Sequence, residues 1–174
     1  MKNMAMIENS RSNLEKAKVL YERVLRMEEL IYGELHPAVA STLNNLADTV
    51  LEQGETAKAA VLFQRAMETN EIVFGKNHPD IARNLNNLGR AFKEMGDYDG
   101  AKSKLMQSLK MKEERYGGNH INLVPTLMNL GDLFNLTKQP SRAKDSLTRA
   151  LKIAEKVSRV NASSVSPLQI CFKP

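Results

Sequence analysis

Residues 75–92 read GKNHPDIARNLNNLGRAF, and the spacing inside this stretch decides the fold. Pro79 follows His78. Proline at a first helical position already has the φ a helix wants and lacks only a donor that would go unpaired there. Ile81, Leu85, Leu88 and Phe92 then fall at steps of four, three and four, with Met95 three further on. That is one face of an amphipathic helix. Gly96 and Asp97 break it. A second helix from about Tyr98 places Ala101, Leu105, Ser108 and Leu109 on one side. Gly117 closes that helix, glycine being suited to a left-handed C-terminal cap.

Working outward, the same arrangement recurs every 42 residues. Gly33, Gly75 and Gly117 share that spacing, as do His36, His78 and His120. Leu43, Leu85 and Leu127 follow, then Leu46, Leu88 and Leu130, then Val50, Phe92 and Phe134. Ala59, Ala101 and Ala143 repeat on the second helix, with Ala17 one step before them. Small residues at Ala47, Gly89 and Gly131 let the two helices of a hairpin approach closely, and the alanines do the same from the other side. A single hairpin cannot bury such a face alone, so the units must stack. The expected fold is all-α: a solenoid of antiparallel helical hairpins with about seven helices. The array covers 13–157, as a half repeat at 13–33 and repeats at 34–75, 76–117 and 118–157. Residues 1–12 read as too short and polar for a partner helix and are expected to be disordered or poorly ordered. Residues 158–174 read as an irregular tail. Both ends look uncapped, which fits a piece of a longer protein or association through an end.

Composition narrows the class. Aromatic residues make up 5% of the chain and Trp is absent, so the core must be built from aliphatic side chains, which suit helices. The one cysteine, Cys171, can form no internal disulfide and no multi-cysteine metal site. A cytoplasmic setting is therefore expected. No apolar run approaches the ~18 residues that span a bilayer, and Met1 to Arg11 lacks the apolar block of a signal peptide. The net charge of +5 is uneven: 34–75 carries −4, whereas 76–117 carries +3. A groove crossing these units would be electrically polar along its length.

The pattern Leu85-x-x-Leu88-Gly89-x-x-Phe92, followed by Gly96, Ala101, Leu105 and Ser108, resembles the tetratricopeptide repeat. The usual unit has about 34 residues. The longer unit here lodges its extra residues in the second helix and in a Gly-x-x-His-Pro connection. That long form, seen at Leu43 to Ala47 and Gly75 to Pro79, is similar to the repeats of kinesin light chains and nephrocystin-3-like proteins. The resemblance runs from about Leu14 to Val157 and implies a right-handed superhelix. Its first helices would line a concave side along which a segment of another protein lies.

The resemblance also implies a ligand-facing asparagine on each first helix, here Asn45, Asn87 and Asn129. An asparagine carries two donors and two acceptor sites, so it can pair with both the N–H and C=O of an extended peptide. Inward positions of the second unit are Arg83, Asn86, Arg90 and Lys93. Three cations on one face make a site for carboxylates. The corresponding positions of the first unit are Ser41, Asn44, Asp48 and Leu51, and those of the third are Pro125, Met128, Asp132 and Asn135. The expected ligand is an acidic peptide segment centred on the second unit. The expected function is that of a protein-binding scaffold or adaptor without enzymatic chemistry, cofactor or metal.

The three histidines sit a whole unit apart, too far to share a metal whose ligand atoms lie ~2 Å from it. They read as helix-start residues. No Ser-His-Asp, Cys-His or phosphate-cradling glycine pattern stands out. Two alternatives remain: an RNA-binding helical repeat and a structural module that self-associates through its ends. Against RNA stand the repeat period, the acidic first unit and the few aromatics available for stacking.

Overall fold

The computed structural model describes residues 1–164, with side chains through Arg159. Eight α-helices run antiparallel in sequence order: α1 Lys2–Ser10, α2 Leu14–Tyr32, α3 Pro37–Glu52, α4 Thr56–Phe74, α5 Pro79–Glu94, α6 Tyr98–Tyr116, α7 Val124–Leu136 and α8 Pro140–Ser164. A 3-10 turn, Ile121–Leu123, leads into α7. The described residues contain no strand.

Through the second unit the repeat is kept to the residue. Helices α2, α4 and α6 each have 19 residues, and α3 and α5 each have 16. The third unit differs because its proline is Pro125 rather than a residue following His120. Proline has no N–H to donate to Ile121 one turn back, so the helix starts as a 3-10 turn and re-forms at Val124. All three histidines cap helix starts. The Nδ1 atoms of His36, His78 and His120 accept the N–H of Ala38 (3.1 Å), Asp80 (3.3 Å) and Asn122 (3.2 Å). Their rings stack on Tyr32, Phe74 and Tyr116 at 4.5, 4.2 and 4.8 Å. Gly117 ends α6 at φ 79° and ψ 166°. Its φ is positive as expected, but its ψ is extended, a region essentially reserved for glycine.

The small residues meet as their spacing predicts. Ala47, Ala59 and Ala101 are fully buried and Ala143 nearly so. A Cβ on Gly89 would lie 2.6 Å from Cγ of Leu105, and one on Gly131 would lie 2.6 Å from Cγ of Leu147. Glycine at these positions sets how close α5 comes to α6 and α7 to α8.

Two expectations need correction. Residues 1–12 were expected to be disordered, but α1 occupies most of them and buries Ala5 completely. In the 42-residue register α1 coincides with the end of a first helix, and Ala5 occupies the place of Ala47, Gly89 and Gly131. Its polar look arises because Glu8 stands where Val50, Phe92 and Phe134 supply apolar bulk. This helix brings the number among the described residues to eight rather than about seven. At the other end, α8 runs to Ser164, beyond the expected boundary at Val157. The rest of the expected irregular tail, 165–174, lies outside the described residues.

First helices touch one another, α1 with α3, α3 with α5 and α5 with α7, whereas no two second helices approach that closely among the described residues. Ion pairs between long side chains reach from α4 to α2, Arg65 to Glu29 at 2.6 Å, and from α8 to α6, Arg149 to Glu113 at 2.6 Å. A double layer whose one side is drawn together and other side spread curves with the first helices inside. That curvature places α3, α5 and α7 on the inner face.

Candidate functional site

Where α5 and α7 come side by side they enclose a cavity of about 770 Å³. Helix α5 contributes Asp80, Arg83, Asn86, Asn87 and Arg90, spaced to share one face. Helix α7 contributes Met128, Asn129 and Asp132, and Ile121 stands at its rim in the 3-10 turn. Lys112 and Tyr116 reach the cavity from α6.

Five of the seven sequence-predicted site residues therefore line one groove: Arg83, Asn86, Asn87, Arg90 and Asn129. Asn45 and Lys93 do not. Asn45 lies one unit earlier on α3, half-buried. The Lys93 side chain is 12% exposed and sits between Glu94 at 3.6 Å and Asp132 at 3.8 Å. Asn44, expected to face inward, is buried and donates from Nδ2 to the carbonyl of Ala40 at 3.0 Å.

The asparagines form a relay. Asn129 donates from Nδ2 to Oδ1 of Asn86 at 3.0 Å, and Asn86 donates from Nδ2 to Oδ1 of Asn87 at 3.3 Å. A donor, Nδ2 of Asn87, remains at one end and an acceptor, Oδ1 of Asn129, at the other. Neither has a partner among the described residues, and both residues line the cavity. A peptide unit needs that pair of functions, an acceptor for its N–H and a donor for its C=O.

The cations are less free than their sequence positions suggest. Arg90 donates from Nη1 to Oδ1 of Asp48 on α3 at 3.0 Å, bridging successive units. Burial pushes the Asp48 carboxyl above its usual range, and Arg90 pulls it back. Arg83 is half-exposed and lies 3.3 Å from Asp80 on its own helix. Sequence reasoning missed Lys112. It is 9% exposed and donates from Nζ to Oγ1 of Thr126 at 2.7 Å, with no carboxylate beside it. Burial lowers its amine from 10.5 to about 8. The missing signal was on the second helices. At the 42-residue register of Lys112 stand Glu28 and Asn70, three different polar residues at a packed position.

Glu28 has the corresponding role at the seam between α2 and α3, its Oε2 accepting from Oγ1 of Thr42 at 2.5 Å, but it also has Lys2 at 3.6 Å. The middle seam holds Asn70 and Asn84, both buried, and neither polar atom of the Asn84 side chain has a partner. The seams thus pass from acidic through neutral to basic along the array. No group of acidic, histidine or cysteine side chains among the described residues could hold a metal ion. No helix is long and apolar enough to cross a membrane among the described residues.

No curated protein matches the chain. Among solved structures, BtubC (BKLC) from P. vanneervenii superposes with a TM-score of 0.78 at 24% identity, over 89% of this chain and 62% of that one. The chain thus spans under two thirds of that protein's length. The nearly identical TPR-like repeats of a putative kinesin light chain from Podosopora anserina superpose with a TM-score of 0.70 at 17% identity, over 95% of this chain and 75% of the other. Such likenesses establish the fold. Residues 1–72, 62–114 and 124–157 match the family described as tetratricopeptide repeat. With its hairpins stacked in one register, the chain belongs to the tetratricopeptide repeat family.

Proposed function

We propose that the chain is a scaffold or adaptor module that holds an extended segment of another polypeptide along the α5–α7 groove and performs no chemistry of its own. The supporting observation is the amide relay, which leaves the Asn87 donor and the Asn129 acceptor unpartnered on residues lining the cavity. Such a pair grips backbone rather than side chains, so it suits a segment of loosely defined sequence. Asn45 stands at the register position of Asn87 one unit earlier, on α3, outside the relay. With three cations, Arg83, Arg90 and Lys112, against the carboxylates of Asp80 and Asp132, the cavity lining favours a segment that carries an acidic residue over one that carries a basic residue.

The test uses short blocked peptides of acidic, neutral and basic composition, titrated into the protein by calorimetry. Peptides with an isolated acidic residue bind best, and Asn87→Ala or Asn129→Ala each weakens binding about tenfold, the scale of one or two net hydrogen bonds. Affinities that ignore both substitutions discard the groove as the binding site. A preference for oligonucleotides with steep salt dependence discards the peptide reading altogether.

A further inference from the structure

We propose that Lys112 is the anchor of the α5–α7 groove and takes one carboxylate of the bound segment, inserted between α5 and α7 and flanked by an apolar side chain. This rests on the groove reading and specifies what the segment must carry.

The charges that line the cavity are Arg83, Arg90 and Lys112 against Asp80 and Asp132. Arg90 is held by Asp48 across the repeat boundary, and Arg83 lies against Asp80. Asp132 faces Lys93, which lies outside the cavity lining. Lys112 remains, with the hydroxyl of Thr126 as its one neutral hydrogen-bond partner. Thr126 is itself fully buried and lies 3.4 Å from Oγ of Ser108, which is bonded to the carbonyl of Ala82. These neighbours hold the ammonium in place without neutralising it. An ammonium with three donors and one acceptor is left with bonding capacity in a largely desolvated site. A carboxylate arriving there gains a charge-assisted hydrogen bond that water screens poorly.

The same charges limit the ligand. With the other cations engaged, a run of acidic residues would meet Asp80 and Asp132, so the groove suits one carboxylate rather than a polyanion. Ile121 and Met128 expose 41% and 51% of their surface beside the cavity. They offer contact to an apolar neighbour of that carboxylate. The depressed amine is consistent with this, since an arriving anion stabilises the charged state that burial disfavours.

Three probe peptides of otherwise identical neutral sequence separate the possibilities. One is blocked at both ends with a single central glutamate, one is blocked with glutamine in its place, and one carries no acid but a free C-terminal carboxylate. The glutamate or the free-terminus peptide, or both, binds at least tenfold tighter than the glutamine peptide, and which of the two does so identifies the source of the carboxylate. Lys112→Met and Lys112→Gln erase that preference, whereas Asn87→Ala weakens every peptide that binds and keeps the preference. Circular dichroism checks that the variants fold, and two substitutions of different polarity keep a folding defect from deciding the result. If Asn87→Ala weakens binding but both Lys112 variants keep the glutamate preference, the anchor is wrong and the groove stands. If none of the peptides binds, both readings fall. A peptide with several consecutive glutamates that outbinds the single-glutamate probe also overturns the proposal.

Discussion

Replacing Lys112 by methionine should stabilise the protein at neutral pH and cease to do so in alkali. Methionine keeps the unbranched shape and removes the charge. Burial lowers the Lys112 amine from 10.5, its value in an unfolded chain, to about 8. Below pH 8 both the folded and the unfolded chain carry the proton, and the folded one carries it at a cost. Between pH 8 and 10.5 the unfolded chain still binds the proton while the folded chain has released it, so stability rises with pH through that window. Two and a half decades at about 1.4 kcal/mol each amount to about 3–4 kcal/mol. Against this, the variant loses the hydrogen bond to Thr126, worth about 1 kcal/mol. Lys112→Met should therefore be about 2–3 kcal/mol more stable than the parent at pH 7, with the advantage gone at pH 10. Urea unfolding of both proteins at the two pH values measures it, and the difference between them cancels every other titrating group. A gap that is the same at both pH values, or a variant less stable at pH 7, would refute the account of Lys112 as a buried charge without a counter-ion.

Gly89→Ala sets helix propensity against packing: alanine gains about 1 kcal/mol in a helix interior, but its Cβ would lie 2.6 Å from Cγ of Leu105. Overpacking costs about 1–3 kcal/mol, so thermal unfolding should show a net loss of roughly 1 kcal/mol, and a rise in melting temperature would contradict the close approach. Lys138→Gly should stabilise by about 0.5–1 kcal/mol, because Lys138 sits at φ 56° where the equivalent Gly54 and Gly96 sit at 84° and 82°. Denaturant midpoints read this directly, and an unchanged or lower midpoint would argue against strain at that turn.

The fold was legible because the 42-residue period repeats the particular residues that determine local structure. Proline after histidine, glycine at the helix ends and alanine opposite glycine each have a single local meaning, and the units repeat them. The capping role of the histidines followed from that place in the unit. Helix α1 was hidden because a stretch of nine residues with Glu8 on its buried side shows too little apolar periodicity. Its one decisive residue, Ala5, shows only when the register is extended backwards. The groove was half legible. A face of α5 could be read from spacing, so Arg83, Asn86, Asn87 and Arg90 fell together. What spacing cannot show is which cation another unit already holds. Asp48 lies 42 residues before Arg90, and their pairing depends on curvature that brings the inner helices into contact.

Lys112 escaped for a deeper reason, which bears on how such a scaffold acquires specificity. The apolar positions of each unit are fixed by the need to stack, and the turns by backbone geometry. The seam between the second helix of one unit and the first helix of the next is constrained differently. Its residues are buried, yet they border the groove, and a polar pair there needs only a hydrogen bond to be tolerated. Glu28 with Thr42 and Lys112 with Thr126 meet that condition with opposite charges. Changing the charge at a seam leaves the stripes of leucine and alanine untouched, so one architecture can present different electrostatic anchors along its inner face. The stability cost expected for Lys112 fits that view: a buried cation without a counter-ion weakens the folded chain, and a ligand carboxylate would remove the penalty.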